Sequence, residues 1–216
     1  MPEALASALL ALPDRYNISG RTPAAVVFKD ASQKKAALQV GEFTWGLVPK
    51  WSKEPQTKYT TVTARLQRAP RSRIFRGPWE GQRCVIPMNG YYKWDRTSKP
   101  AMPYFIQAQD GKTLFAAGLW ELWEKGDAPL ATCTVLTHPN RAIPPPLVAD
   151  GPVFLPCGTE PVGHRPAVVS DALPDDFEAA CIGSLPGVAR DPRPRAGRLH
   201  AARTHAAGTG HGRAHR

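Results

Sequence analysis

Along most of this chain apolar and polar residues alternate in short runs, the period of half-buried strands rather than of helices. The start is the exception: Ala and Leu fill two or three turns from Pro2 to Ala11 and predict a short helix. After it, Ala24–Lys29, Lys35–Val40, Phe43–Leu47, Arg83–Pro87, Gly90–Asp95, Tyr104–Gln109, Leu114–Leu119 and Ala131–Thr137 are rich in Val, Ile, Thr and aromatic residues. Each predicts a strand, because branched and aromatic side chains suit a pleated surface. Asp30, Asn89-Gly90, Asp110-Gly111 and Gly126-Asp127 mark turns between them. The last three runs are spaced as consecutive antiparallel strands joined by hairpins, and Asp175–Ile182 reads as one more short helix. The class this implies is α+β: one curved, partly closed antiparallel sheet with few short helices.

Past about Leu185 the pattern ends in Arg, Ala, Gly, His and Pro, with almost no large apolar side chain. Such a stretch cannot bury enough surface to offset its ordering entropy, so residues 1–185 are expected to form one domain and 186–216 a disordered basic tail. The tail also changes the meaning of the charge. Of a formal +10, the seven Arg and one Asp from Gly187 to Arg216 supply +6, leaving a mildly basic body of +4. Two readings of the tail stay open, a source of nonspecific phosphate contacts or a drifted, out-of-frame end.

With 42% hydrophobic residues and six Trp, the body has material for a core. No apolar run approaches the roughly 20 residues of a membrane span, and no leader pattern opens the chain. A cytoplasmic monomer without membrane contact is the expectation. Cys84, Cys133, Cys157 and Cys181 are irregularly spaced and form no CxxC pair, so neither a metal site nor a disulfide framework is indicated, and no cofactor motif stands out.

Four segments then narrow the reading. Arg15-Tyr16-Asn17-Ile18 precedes Thr22-Pro23 and Ala25-Val26-Val27, and Trp45-Gly46-Leu47-Val48-Pro49-Lys50-Trp51 follows. Next come Phe75-Arg76 and Arg83-Cys84-Val85-Ile86-Pro87-Met88-Asn89-Gly90-Tyr91-Tyr92-Lys93-Trp94. Pro103-Tyr104-Phe105-Ile106, Ala117-Gly118-Leu119-Trp120-Glu121 and Val135-Leu136-Thr137 complete the set. Singly, each is an ordinary core strand. In this order and at these separations they resemble the abasic-site-processing, or SOS response-associated peptidase (SRAP), family, most clearly over residues 2–155.

That resemblance implies a barrel-like sheet and a task in the DNA damage (SOS) response. The family recognises an abasic site in single-stranded DNA, typically near a junction with duplex, and traps its ring-opened aldehyde. An amino-terminal cysteine supplies an α-amine, of unperturbed pKa about 8, and a thiol that together close a thiazolidine ring. An Asn orients the reacting groups while a Glu and a His move protons. The same cysteine is taken to release a propeptide, hence the peptidase (hydrolase) activity. The implied setting is a bacterial-type cytoplasm, at the nucleoid when DNA is bound.

This chain departs from the pattern at each of those positions. It opens Met1-Pro2-Glu3, with no cysteine before Cys84 and no counterpart of the family's Met-Cys-Gly-Arg. The Asn position falls at Thr63, the Glu position at Lys93, and the His position at Val148 in the register of Val148-Ala149-Asp150-Gly151-Pro152. A competing register, using His164-Arg165-Pro166, requires an insertion. Lysine reverses the sign of the glutamate, and valine transfers no proton. The resemblance therefore implies impaired crosslinking and peptidase chemistry on a retained binding surface. Trp45 and Trp51 flank the DNA-contacting loop, and Arg65, Arg76 and Arg83 stand at phosphate-contacting positions, with Lys50 and Lys53 nearby. Two alternatives are an active crosslinking enzyme whose start codon lies further upstream and a decayed gene product.

Overall fold

Helix α1 (Glu3–Leu10) opens a computed structural model in which residues 3–29, 37–108 and 113–155 are described, together with the backbone of His200–Ala201. Ten strands follow: β1 (Pro23–Lys29), β2 (Leu38–Trp45), β3 (Thr63–Arg65), β4 (Arg83–Met88), β5 (Gly90–Asp95), β6 (Met102–Gln107), β7 (Leu114–Trp123), β8 (Leu130–Pro139), β9 (Asp150–Pro152) and β10 (His200–Ala201). A 3₁₀ turn (Ala69–Arg71) and helix α2 (Arg76–Gly81) lie between β3 and β4. Cys157, Cys181, His164, the Asp175–Ile182 segment, the Asp30 and Asp110-Gly111 turns, and the tail apart from His200–Ala201 fall outside the described residues. No described helix is long and apolar enough to cross a membrane.

Strands β2, β1, β4, β7 and β8 are neighbours in that order, and β2 pairs back onto β8 through Thr44↔Thr132 and Trp45↔Cys133. The result is a closed five-stranded barrel, which removes the exposed edges an open sheet would present. Two faces follow from the strand period of two. Leu5 of α1, Ala69 of the 3₁₀ turn and Phe75 pack with Val27, Val85, Ala117, Leu119 and Leu136, so this face lies outside the barrel. The alternate residues Val26, Phe43, Cys84, Ile86, Ala116, Trp120, Cys133 and Val135 fill its interior. Cross-strand register keeps the two sets apart: Val85 lies opposite Ala117, and Cys84 opposite Gly118.

Three expectations are revised. The described parts of the two runs expected at Lys35–Val40 and Phe43–Leu47 meet in one strand, β2 (Leu38–Trp45), because Gly41 does not break it. A Cβ there would already meet the Phe43 ring at 3.0 Å, and Glu42 points outward to an ion pair with Arg15 at 2.6 Å. The sheet is not purely antiparallel, since β8 runs parallel to β2 and β3. Nor do β6 and β7 form a hairpin. β6 is taken by β5 over the whole run from Gly90↔Gln107 to Asp95↔Met102, and β7 pairs with β4 and β8. In the tail, the backbone of His200–Ala201 pairs with β6 opposite Phe105 and Tyr104. The short elements β3, β9 and α2 had no sequence signal of their own.

Cys84 and Cys133 are buried and are not joined in a disulfide. Burial pushes the Cys133 thiol from about 9 up to about 12. In the unfolded chain it ionises near pH 9, while in the barrel it stays protonated, so stability present below pH 9 is lost as pH rises toward 12. We expect unfolding free energy to fall by about 1.4 kcal/mol between pH 8 and pH 10, the window in which only the unfolded thiol titrates. Urea titrations at the two pH values check this, and Cys133→Ala should flatten the difference.

Candidate nucleic-acid interface

The loop after β2 shows why the Trp-Gly-Leu segment has its composition. Trp45 donates its indole N–H to the Val62 carbonyl at 2.7 Å and packs on the barrel interior. Gly46 sits at φ 127°, backbone that a side chain rarely adopts. Leu47, Val48 and Pro49 are then fully buried, with Val48 N–H donating to the Thr132 hydroxyl at 3.1 Å, and Trp51 emerges 43% exposed. Of the two tryptophans flanking this loop, only Trp51 is exposed. Its Nε1 donates to the Arg73 carbonyl at 3.3 Å, and the Arg73 guanidinium lies 4.9 Å over its ring. Glu121, buried beneath, accepts from Gln82 at 2.9 Å and pairs with Lys50 at 3.5 Å, so it ties the loop to β7.

From Trp51 a basic ridge leads away. Arg65 on β3, Arg68, Arg71, Arg73 and Arg76 at the start of α2 are all exposed, and no acidic residue occurs between Arg65 and Trp79. Their interleaved neighbours Leu66, Ala69 and Phe75 are buried in the outer cluster, and this anchoring turns the arginines to solvent. Arg83 differs from them. It is half-buried, its Nε donates to the Trp79 carbonyl at 3.0 Å, and its guanidinium lies 5.9 Å from that ring. Sequence reasoning missed Arg68, Arg71 and Arg73. Their spacing of two or three residues along a segment without acidic side chains is the signal that could have found them.

Thr63, Lys93 and Val148, the positions where the resemblance expects Asn, Glu and His, lie around the segment in which β3 and β9 flank β8. Arg65 pairs with Thr137 from one side and Pro152 pairs with the same residue from the other. Thr63 is exposed on β3, one strand spacing from β8 and therefore roughly 10 Å across it from β9. Strand β5 leans on β9 instead. Lys93 donates from Nζ to the Asp150 carbonyl at 2.6 Å, and Asp150 N–H donates to the Val148 carbonyl at 2.8 Å. Lys93 and Val148 thus share a corner, with Val148 67% exposed, and Thr63 stands apart from them.

Partial burial lowers the Lys93 pKa, and the negative charge of Asp150 opposes that shift. Tyr91, two residues earlier on the same face of β5, packs against Phe154 at 5.9 Å between ring centroids. Its phenol is pushed by burial up to about 12. Gly151 leaves room for it: a Cβ at that glycine would stand 3.2 Å from the Tyr91 hydroxyl oxygen. Among the described residues no group of three or more His, Cys, Asp and Glu could hold a metal ion.

Comparison with known proteins places this arrangement. Abasic site processing protein YMR114C of Saccharomyces cerevisiae is 40% identical over 124 residues, 56% of this chain and 32% of the yeast protein. Abasic site processing protein YoqW of Bacillus subtilis is 28% identical over 182 residues, 79% of each chain. The chain thus spans about a third of one relative's length and about four fifths of the other's. A solved structure of a protein from Bordetella bronchiseptica superposes with a TM-score of 0.52 at 26% identity, covering 64% of this chain and 71% of that one. A family model for SOS response associated peptidase matches residues 4–157, a span that contains the whole barrel, the arginine ridge and the Lys93–Asp150 corner. With both the fold and the site inside that match, the chain belongs to the SOS response associated peptidase (SRAP) family.

Proposed function

We propose that this domain binds single-stranded or junction DNA at abasic sites and holds it without forming a thiazolidine crosslink. The arginine ridge that ends at Trp51 carries the reading. Five exposed guanidinium groups offer bidentate contacts to successive phosphates, and an indole beside them offers a stacking face for an unpaired base. The lesion class comes from the relatives, which are named as abasic site processing proteins. Loss of the stable trap is supported by the corner itself: an amine where a carboxylate would move protons, an exposed valine beside it, and a threonine across β8. Trp45 and Arg83 fit supporting roles better than contacts, since their polar groups are committed to the Val62 and Trp79 carbonyls. Arg65, Arg76 and Trp51 remain on the contact surface.

Fluorescence anisotropy with an abasic oligonucleotide, run beside a denaturing gel, tests both halves. If about three phosphates are neutralised, affinity should fall roughly twentyfold between 50 and 200 mM salt. Trp51→Ala should weaken binding by about 1–3 kcal/mol, the usual worth of one base–aromatic stack. No heat-stable band is expected on the gel without a reductant. A lesion-dependent band that survives boiling would show an intact trap and refute that half, while salt-insensitive or absent binding would refute the other.

A further inference from the structure

Tyr91 and Lys93 share one face of β5 and meet the same short strand, β9. Lys93 Nζ rests on the Asp150 carbonyl at 2.6 Å, and among the described residues no ion pair joins it. One hydrogen bond to a neutral carbonyl leaves the amine two further protons and holds it at the edge of the protein, half-buried and not enclosed. The Tyr91 hydroxyl is buried and has no hydrogen-bond partner among the described residues, although a buried phenol normally finds one. A half-buried amine and, two residues away on the same strand face, a buried proton donor without a partner both lie against β9, two residues from the exposed Val148, an arrangement suited to carbonyl capture.

We propose that Lys93 is a nucleophile that captures an aldehyde as a Schiff base, with Tyr91 as the neighbouring proton donor and the ring-opened deoxyribose of an abasic site as the substrate. This rests on the DNA-binding reading above. The Lys93 nitrogen adds its lone pair to the aldehyde carbon, and a proton passes from nitrogen to oxygen to give a carbinolamine. Tyr91 protonates the hydroxyl, which leaves as water. Nitrogen then returns its remaining proton to the phenolate. One amine and one aldehyde thus become one imine and one water, with no change of oxidation state. Partial burial favours the free amine that this step needs. Water hydrolyses the imine again, so capture is reversible, and no boiling-resistant band is expected without a reductant.

The test is to incubate the full chain with a single-stranded oligonucleotide bearing one abasic site, add borohydride, and map the reduced adduct by proteolysis and mass spectrometry. Anisotropy on an oligonucleotide carrying the tetrahydrofuran analogue, which has no aldehyde, measures binding separately. A reductant-dependent adduct on the Lys93 peptide is expected. In Lys93→Arg, which keeps the charge but forms no imine, adduct per bound complex should fall at least tenfold. Tyr91→Phe should slow trapping at least severalfold while leaving the adduct on Lys93; an unchanged rate would remove Tyr91 from the step. Binding without an adduct, or an adduct mapped elsewhere on the wild-type chain, would overturn the Lys93 assignment and leave the DNA reading standing. Absence of binding would remove both.

Discussion

Trp120→Ala should lower unfolding free energy by about 3–5 kcal/mol, a large share of the ~5–15 kcal/mol that holds a typical domain together. Trp120 lies inside the barrel, its ring centroid 5.1 Å from Phe28 and 5.7 Å from Phe43, which are themselves 4.9 Å apart. These rings come from β7, β1 and β2, so one truncation leaves a void that three strands border and cannot collapse into without moving their ladders. Trp120→Phe should behave differently. The buried indole Nε1 has no partner among the described residues, and replacing it by phenyl removes that unsatisfied donor along with part of the volume. A loss within about 1.5 kcal/mol is expected. Chemical denaturation of both variants decides the point: equal losses would mean that the interior is not packed around this ring.

The strands that form the barrel were legible because each buries two faces with different partners, and branched or aromatic residues fill both. Gly90–Asp95 has the expected bounds, and β1, β4, β7 and β8 lie within a few residues of theirs. Closure was not legible. It depends on two residue pairs, Thr44↔Thr132 and Trp45↔Cys133, whose partners are 88 residues apart in sequence and have no local signature. β9 consists of Asp150-Gly151-Pro152, three residues depleted in strands; only pairing with Thr137, His138 and Pro139 extends them. Helix α2 contains Gly77, Pro78 and Gly81, a composition against helix, and forms where Pro78 is buried and Trp79 packs on the outer cluster.

Much of the candidate site was legible by motif, and the remainder only in three dimensions. Trp51 and Lys93 stand in runs that the resemblance identifies, and both take informative positions. Trp45 belongs to the same run, yet its indole is held by the Val62 carbonyl, a contact 17 residues away that no motif encodes. Tyr91 read as an ordinary strand aromatic; its idle hydroxyl shows only once β9 is folded against β5. Arg65 and Arg76 were named from the motifs, but the middle of the arginine ridge, Arg68, Arg71 and Arg73, was hidden for a simpler reason. Its residues follow a turn, a 3₁₀ segment and a helix start in succession, so no single period displays them on one side.

Gly118→Ala should be nearly as damaging as the loss of Trp120, and it links the barrel to the site. A Cβ at Gly118 would lie 2.8 Å from the Thr134 carbonyl oxygen, 2.8 Å from Ile86 Cδ1 and 3.0 Å from Cys84 Sγ. The first of these is backbone and cannot rotate away, so β7 must shift against β8 or β4. Such overpacking costs about 1–3 kcal/mol and sometimes more, and the rigid carbonyl puts this site at the upper end. Valine adds two methyl groups at the same point and should leave no soluble folded protein. Gly77→Ala is the internal control: nothing lies within 4 Å of a Cβ there, and alanine in α2 should stabilise by up to about 1 kcal/mol. The strain at Gly118 should also travel. Val135 is its partner on β8, and Val135 faces Thr63 on β3, the strand that carries Arg65 to the ridge. Folded Gly118→Ala should therefore bind abasic oligonucleotide more weakly than wild type, measured below its melting transition, while Gly77→Ala keeps wild-type affinity. Equal affinities in all three proteins would show that the ridge is positioned by the outer cluster alone and not by the barrel's register.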